Sequence, residues 1–183
     1  MSILIIKTNK EKLHDYEFVK PIEDILKNIG VSFFTRHYKE IKEDDLIKAD
    51  KIVICGNSLK EKGFLKDVKK FEWVKKINKP IFGICAGMQI IGLVFGGKVK
   101  NKTEIGFFRE KFSREFLGIR VDQEVWHLHN NFIDFKKMKE FDVFAESNGI
   151  SQAVKHKEKE IYGVLFHPEV RQKDLIKRFI GLR

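Results

Sequence analysis

The chain has 183 residues, of which 43% are hydrophobic and 34% are charged, and its formal net charge is +10. A chain of this length can bury a core of its own, so we expect one domain covering residues 1–183. The hydrophobic content argues against disorder, and two cysteines are too few for a disulfide framework. No apolar run approaches the ~20 residues of a membrane helix, and the short N-terminal run lacks signal-peptide features, so we expect a cytoplasmic protein.

The positive charge is compatible with nucleic acid or with an acidic partner surface. A solvated, lysine-rich surface explains it more simply, and because no aromatic-interleaved basic motif is present, nucleic-acid binding is not expected. The abundance of lysine and glutamate is typical of heat-adapted proteins and indicates a thermophilic source. His127 and His129 form one tight histidine pair without partners nearby in sequence, so no metal site is predicted.

The first half of the chain alternates short apolar runs with helical patterns. The runs are continuous rather than alternating, as in parallel strands covered on both faces. They span residues 3–6, 31–34, 51–55 and 80–84. A helical stripe begins at Phe18 and is predicted to end at Gly30, and Phe64, Val68 and Phe71 indicate a second helix. This alternation implies right-handed βαβ crossovers.

The second half of the chain has shorter strand-like runs and one terminal helix. The runs span residues 104–112, 124–128, 142–147, 152–156 and 161–166, and the helix spans residues 173–180. We expect antiparallel strands among them, and an exposed hairpin turn at the charged run 155–160. The fold class predicted for the whole chain is α/β, a three-layer sandwich with a mostly parallel central sheet flanked by helices and a small antiparallel region.

A candidate nucleophile, Cys85, stands where an apolar strand meets a helical pattern. Gly83 and Gly87 flank it in a Gly-x-Cys-x-Gly motif, which is the arrangement of a nucleophile elbow. The glycines let strand and helix approach closely, and the helix N-terminus favours a thiolate. The N–H of Ala86 is then free to face an oxyanion. The alternative interpretation is a buried structural cysteine.

A candidate base and its orienting group follow the last apolar strand. Pro168 favours extended backbone at His167, and residues two apart in an extended segment can point the same way. Glu169 could therefore hold the His167 imidazole, as in a catalytic triad. The alternative is a strand-end histidine beside a surface glutamate.

Taken together, the segments 83–89 (GICAGMQ) and 163–170 (GVLFHPEV), with the glycine pair 96–97, resemble the class I (triad) glutamine amidotransferase family. That family has a flavodoxin-like sandwich fold. Within it, the segments 125–129 (VWHLH), 144–147 (FAES) and 161–164 (IYGV) are most similar to the glutaminase subunits of archaeal-type GMP synthases.

The resemblance implies a reaction and a partner. Cys85, His167 and Glu169 would hydrolyse L-glutamine to glutamate and ammonia through a γ-glutamyl thioester. The ammonia would pass to an ATP-dependent synthetase subunit, for example one that converts XMP to GMP. The resemblance implies no metal and no organic cofactor.

The resemblance also suggests roles for residues around the nucleophile. Ala86 and either Gly56 or Asn57 would supply the oxyanion-hole N–H groups, although the family usually has Gly-Gly-Pro or Asn-Gly-Pro where this chain has CGNS at 55–58. Gln89, His129 and Asn130 would contact substrate; the last two lie in LHNN at 128–131, where the family usually has a Ser-His-Gly segment. A helix-surface role for Gln89 and a strand-edge role for His129 are the alternatives.

Three other functions stay open at this point. The chain could be the glutaminase of another synthetase, a γ-glutamyl hydrolase or cysteine peptidase with the same elbow, or a non-catalytic regulatory relative. The second cysteine, Cys55, is interpreted as a small core residue, with oxidative pairing to Cys85 as the alternative.

Overall fold

The computed structural model describes residues 1–182. A central sheet has the strand order β2-β1-β3-β4-β9-β8-β7, and a separate ribbon pairs β5 with β6. The strands are β1 (Ser2–Lys7), β2 (Ser32–His37), β3 (Lys51–Ile54), β4 (Ile81–Ile84), β5 (Val99–Glu110), β6 (Gln123–Ile133), β7 (Phe141–Ser147), β8 (Ile150–His156) and β9 (Ile161–Val164). The α-helices are α1 (Lys12–Phe18), α2 (Lys20–Asn28), α3 (Glu43–Lys48), α4 (Trp73–Lys76), α5 (Ala86–Val94) and α6 (Lys173–Gly181).

The main sheet is mostly parallel, as predicted. Strands β2, β1, β3, β4 and β9 run parallel to their neighbours, while β8 and β7 extend the sheet in antiparallel fashion. Side chains along β1 alternate between the two faces: Ile3 and Ile5 join one apolar cluster, and Leu4 and Ile6 join the other. A strand buried on both faces must be apolar throughout, which explains the continuous runs in the sequence.

Helices cover both faces of the sheet and produce the three-layer sandwich that the sequence predicts. One face packs against apolar residues of α2 and α6, and the other against α5. Helix α2 has Pro21 in its first turn, where a missing N–H costs nothing. Gly30 follows the helix with a φ of +67°, in the left-handed conformation that commonly ends helices.

The structure differs from the sequence prediction in two stretches of the first half. The helix indicated by Phe64, Val68 and Phe71 is wrong as one continuous element, because two 3₁₀ turns (Gly63–Leu65 and Val68–Phe71) precede the four-residue α4. Phe64 and Phe71 are both buried, so the apolar positions are core residues without a regular helix between them. Helix α1 was not predicted, because its residues Leu13 and Tyr16 are largely exposed and leave no apolar stripe.

The antiparallel ribbon β5–β6 is longer than the runs 104–112 and 124–128 predicted. The additional residues of β5, 99–103, are all exposed and, apart from Val99, polar, so a search for apolar runs does not detect them. The charged run 155–160 begins inside β8, where His156 is buried, so the turn itself is confined to residues 157–160. Among residues 1–182, no helix has the length and apolar character needed to cross a membrane.

Candidate active site

Cys85 lies between the end of β4 and the start of α5, as the elbow motif predicts. Its φ of +49° and ψ of −101° are unusual for a residue with a side chain. Such strained conformations are held by the surrounding structure and concentrate at functional sites. The thiol is almost fully buried, and its Sγ lies 3.7 Å from the carbonyl oxygen of Leu128 on β6.

The two glycines of the motif are required by close packing. A Cβ at Gly87 would lie 2.2 Å from the carbonyl oxygen of Ile54 on β3. A Cβ at Gly83 would lie 2.6 Å from the backbone of Gly87 itself. Because these neighbours are mostly backbone, they cannot rotate away, and α5 can start directly above the sheet only with glycine at both positions.

His167 and Glu169 follow β9, the strand next to β4 in the sheet. The Nδ1 of His167 and the Oε1 of Glu169 lie 2.7 Å apart, and both side chains are buried. The backbone N–H of His167 donates to the carbonyl of Trp126 on β6 at 2.8 Å. His167 and Cys85 are therefore brought together at the carboxyl ends of adjacent parallel strands, where open α/β sheets place their sites.

Cys85 and His167 meet above Gly56, which follows β3. A Cβ at Gly56 would lie 2.5 Å from Cε1 of His167 and 3.5 Å from Cβ of Cys85. Burial alone would lower the pKa of His167, but Glu169 and Cys85 on either side raise that pKa well above its ordinary value. The His167 Nε2 atom has no hydrogen-bond partner among the described residues, so it is free to exchange a proton with a reacting group.

A pocket of about 20 Å³ adjoins the Cys85 side chain. Six of the predicted site residues line it: Asn57, Cys85, Ala86, Gln89, His129 and Asn130. Gly56 is not on the lining and lies against the His167 ring instead. The space is enough for about one water molecule, so this conformation is closed to a larger ligand.

The predicted substrate residues are engaged with the protein in this closed conformation. Gln89 is buried rather than on a helix surface, and its Nε2 donates to the Asn131 carbonyl at 3.1 Å while its Oε1 has no partner among residues 1–182. The Asn130 amide nitrogen lies 3.5 Å from the Leu59 carbonyl. Asn57 donates its side-chain N–H groups to the Glu61 and Thr8 carbonyls.

Cys55 is a fully buried residue of the core, as interpreted from the sequence. Burial raises the pKa of its thiol well above the ordinary value, with Glu169 adding in the same direction. Both Cys55 and Cys85 are free thiols. Cys55 is therefore chemically unreactive in this fold.

Sequence reasoning missed a buried polar cluster next to the pocket, which we call the ribbon cluster: Glu104, Glu110, His127, His129 and Gln152. All five side chains are less than 5% exposed. His129 Nε2 and Gln152 Nε2 contact the same Oε2 atom of Glu104, at 3.0 and 2.8 Å. The alternation of His127 and His129 on one face of a strand was a visible signal, but their carboxylate partners come from another strand.

A wide groove lies away from Cys85. It has a volume of about 650 Å³ and lies between α3 and α4, with Trp73 and Leu46 among its apolar residues and several lysines around them. None of the predicted site residues lines it. Volume alone therefore does not locate the chemistry in this protein.

Comparison with known proteins agrees with this geometry. The family model "Glutamine amidotransferase class-I" matches residues 12–180. Proteins named GMP synthase [glutamine-hydrolyzing] from Francisella philomiragia and Staphylococcus aureus are 30% and 32% identical over 90% and 85% of this chain. The aligned region is 33% and 32% of those proteins, so this chain spans about a third of their length.

Solved structures give the same assignment of fold. A protein from Thermoplasma acidophilum that resembles a GMP synthase subunit has a TM-score of 0.85 and 26% identity, covering 99% of this chain and 92% of that one. A glutamine amidotransferase from Thermotoga maritima has a TM-score of 0.74, covers 99% of this chain and 81% of the other, and at 23% identity supports the fold alone. The predicted α/β sandwich and the predicted resemblance are confirmed. The chain belongs to the class I glutamine amidotransferase family, an enzyme family.

Proposed function

We propose that this chain hydrolyses L-glutamine to glutamate and ammonia with Cys85, His167 and Glu169 as its catalytic triad. One observation carries the proposal: the strained elbow thiol and a buried His167–Glu169 pair with a 2.7 Å contact come together over Gly56. The unpartnered Nε2 of His167 is the atom that would take the thiol proton. The sequence resemblance and the family membership support the same chemistry.

In the first half of the reaction, Cys85 attacks the side-chain amide carbon of glutamine. His167 takes the thiol proton, a C–S bond forms, and the amide oxygen carries the negative charge. Collapse of this intermediate breaks the C–N bond, and His167 gives its proton to the departing nitrogen to form ammonia. A γ-glutamyl thioester remains on Cys85. The raised pKa of His167 suits this step, because the imidazolium is held between two acidic groups.

In the second half, water hydrolyses the thioester. His167 removes a proton from the water, the new C–O bond forms, and the C–S bond breaks with return of the proton to sulfur. Glu169 touches no reacting atom and acts through its hydrogen bond to Nδ1, which fixes the tautomer and orientation of the imidazole.

The oxyanion in both halves would be stabilised by backbone N–H groups. Ala86 is the first residue of α5, where helical N–H groups have no partner within the helix. We assign the second donor to Gly56 or Asn57 on the β3 side of the thiol. Loss of one such donor typically costs about 3 kcal/mol of transition-state stabilisation.

Glutamine would enter only after the pocket widens. The 20 Å³ space is bounded by residues 57–64 on one side and residues 129–131 on the other. A movement of either segment would release the Gln89 and Asn130 side chains from their backbone partners and make them available to substrate. We therefore expect the glutaminase to be more active when docked to its partner than alone.

We assign the ammonia to an ATP-dependent synthetase partner, with conversion of XMP to GMP as the leading acceptor reaction in purine biosynthesis. The similarity to proteins named GMP synthase, of which this chain spans about a third, supports a synthetase activity that uses the ammonia. A synthetase with another acceptor is the alternative. The proposal treats residues 1–183 as one amidotransferase domain in the cytoplasm, where free thiols persist.

The deciding experiment measures glutamate release from L-glutamine by the purified chain and by Cys85→Ala, each with and without the candidate synthetase. Activity that is lost in the variant supports the proposal, and stimulation by the synthetase identifies the partner. A folded chain that releases no glutamate in either condition contradicts it. Release of glutamate from γ-glutamyl peptides, but not from glutamine, would favour the hydrolase alternative.

A further inference from the structure

The buried ribbon cluster has a composition that hydrogen bonding within the protein does not explain. It brings together two carboxyl groups and two imidazoles, all shielded from water. Several of its polar atoms have no hydrogen-bond partner among the described residues, including His127 Nδ1 and Glu110 Oε2. Buried polar atoms are nearly always satisfied, and buried charges are paired or bind metal ions.

The register of the ribbon creates the cluster. Glu104 pairs directly with His129 across β5 and β6, and His127 lies two residues along β6 on the same face. Glu104, His127 and His129 each offer a ligand atom, and these atoms lie within 4.8 Å of one another. A histidine pair that looks isolated in the sequence therefore gains a carboxylate from the neighbouring strand.

We propose that Glu104, His127 and His129 form a binding site for a divalent transition-metal ion of the Zn²⁺ type. The Oε2 atom of Glu104 lies 3.9 Å from His127 Nδ1 and 3.0 Å from His129 Nε2. A tetrahedral ion with ligands at about 2.1 Å holds its ligand atoms roughly 3.4 Å apart. The two distances bracket this value, so small side-chain shifts would complete the coordination.

The surroundings match those of protein metal sites. His127 contacts Glu110 through its other ring nitrogen, with 3.0 Å between Nε2 and Oε1. This carboxylate–histidine arrangement is the usual support of a metal-bound imidazole. Gln152 orients the Glu104 carboxylate at 2.8 Å. A divalent cation would also neutralise the two carboxylates, whose ion-pair partners among the described residues are histidines alone.

A metal ion bound at this site would restrict the part of β6 that lies beside Cys85. Leu128 lies between the two histidines, and its carbonyl oxygen faces Cys85 Sγ at 3.7 Å. Coordination by His127 and His129 would fix this part of β6. For His129 to ligate through Nε2, its ring proton would move to Nδ1, so a neutral imidazole binds without net proton release.

The test measures Zn²⁺ binding by competition with a chromophoric chelator in the Cys85→Ala background, which removes the reactive thiol as a competing ligand. We expect one Zn²⁺ per chain. Adding Glu104→Gln or His127→Gln should weaken binding at least about tenfold, and Glu110→Gln about tenfold. Adding His37→Gln, a histidine outside the cluster, should change nothing. Binding that survives both ligand substitutions, or no stoichiometric binding at micromolar Zn²⁺, would overturn the proposal.

A second measurement needs no ligand variant, in case those variants fail to fold. X-ray absorption at the zinc edge of the loaded Cys85→Ala protein should report two imidazoles with oxygen ligands. A sulfur ligand, or fewer than two imidazoles, would refute the site. Neither experiment uses glutamine, so its outcome is independent of the proposed glutaminase.

Discussion

At the scale of single residues, the site requires a position without a side chain as well as specific functional groups. Gly56 has no side chain, and this absence lets the His167 ring lie against β3 within reach of Cys85. The Glu169 carboxylate is buried, and its other oxygen, Oε2, has no partner among residues 1–182, so its charge is directed at His167. Small substitutions should therefore separate the effect of the His167 position on activity from the effect of the Glu169 charge.

Gly56→Ala tests whether activity depends on the position of the His167 ring. The added Cβ would lie 2.5 Å from Cε1 of His167, so the imidazole must shift away from the thiol. A displacement near 1 Å typically costs about 100-fold in rate, and we expect a loss of that order in kcat for glutamine hydrolysis. Gly181→Ala, on α6, is the matched control, because nothing lies within 4 Å of its added Cβ. Equal activity in both variants would show that the His167 position is not critical.

Glu169→Gln tests the role of the Glu169 charge, because glutamine has nearly the same shape as glutamate. Glu169 is the main group that raises the pKa of His167, so removing its charge should lower that pKa. We expect kcat to fall roughly 10,000-fold, as for other triads that lose their carboxylate, and the alkaline limb of the pH profile to move to lower pH. Glu124→Gln, in an exposed pair with Arg171, is the control. An unshifted profile would mean that Glu169 does not tune His167.

At the scale of elements, the elbow holds β3, β4 and α5 at a fixed separation. Gly87 sits with its Cα against the Ile54 carbonyl, and Gly163 on β9 makes room for Met88 on α5. These contacts are backbone to backbone or to a buried side chain, so the helix cannot retreat without opening the core. The position of Cys85 is thus a consequence of element packing.

Gly87→Ala tests the close packing of α5 against β3. A Cβ 2.2 Å from the Ile54 carbonyl oxygen forces β3 and α5 apart, and overpacking of this kind typically costs about 1–3 kcal/mol. We expect a lower unfolding free energy in urea. Gly181→Ala places a methyl group where nothing lies within 4 Å, so it should cause no loss. If the two variants were equally stable, the close approach of α5 to β3 would not be a constraint.

What the sequence could predict follows from how local each signal is. The strand before Cys85, its flanking glycines and the helix after it are contiguous, so the elbow could be predicted directly. The ribbon cluster could not, because Glu104 meets His129 only through the β5–β6 register. The segment 64–71 misled for a related reason: Phe64 and Phe71 enter the core from separate 3₁₀ turns, and apolar spacing alone does not distinguish these from one helix.

At the scale of the whole molecule, the charge of +10 is carried mainly on the surface, where many lysines pair with acidic residues in exposed ion pairs. Each such pair contributes little at ordinary temperature, and networks gain value as temperature rises. Heat adaptation therefore stays a prediction from composition. Stability near neutral pH should instead depend on the few buried titratable groups, among them His129.

The last prediction concerns the pH dependence of unfolding. Burial lowers the pKa of His129, with the neighbouring His127 and His167 acting in the same direction and Glu104 opposing them. At His129 the unfolded chain, with a histidine pKa near 6.5, then binds more protons than the folded one, so the contribution of His129 to stability falls as pH drops below 6.5 toward the folded pKa. His129→Gln retains an N–H donor for Glu104 and removes this titration.

Unfolding free energies between pH 7 and 5, measured with a metal chelator present, should therefore fall less steeply in His129→Gln than in the native chain. One histidine can contribute at most about 1.4 kcal/mol per pH unit to the difference in slope. His37 and His156, whose pKa values are lowered by burial, and His167, whose pKa is raised by Glu169 and Cys85, are present in both proteins and cancel in the comparison. Parallel slopes would mean that His129 is as easily protonated in the folded protein as in the unfolded chain.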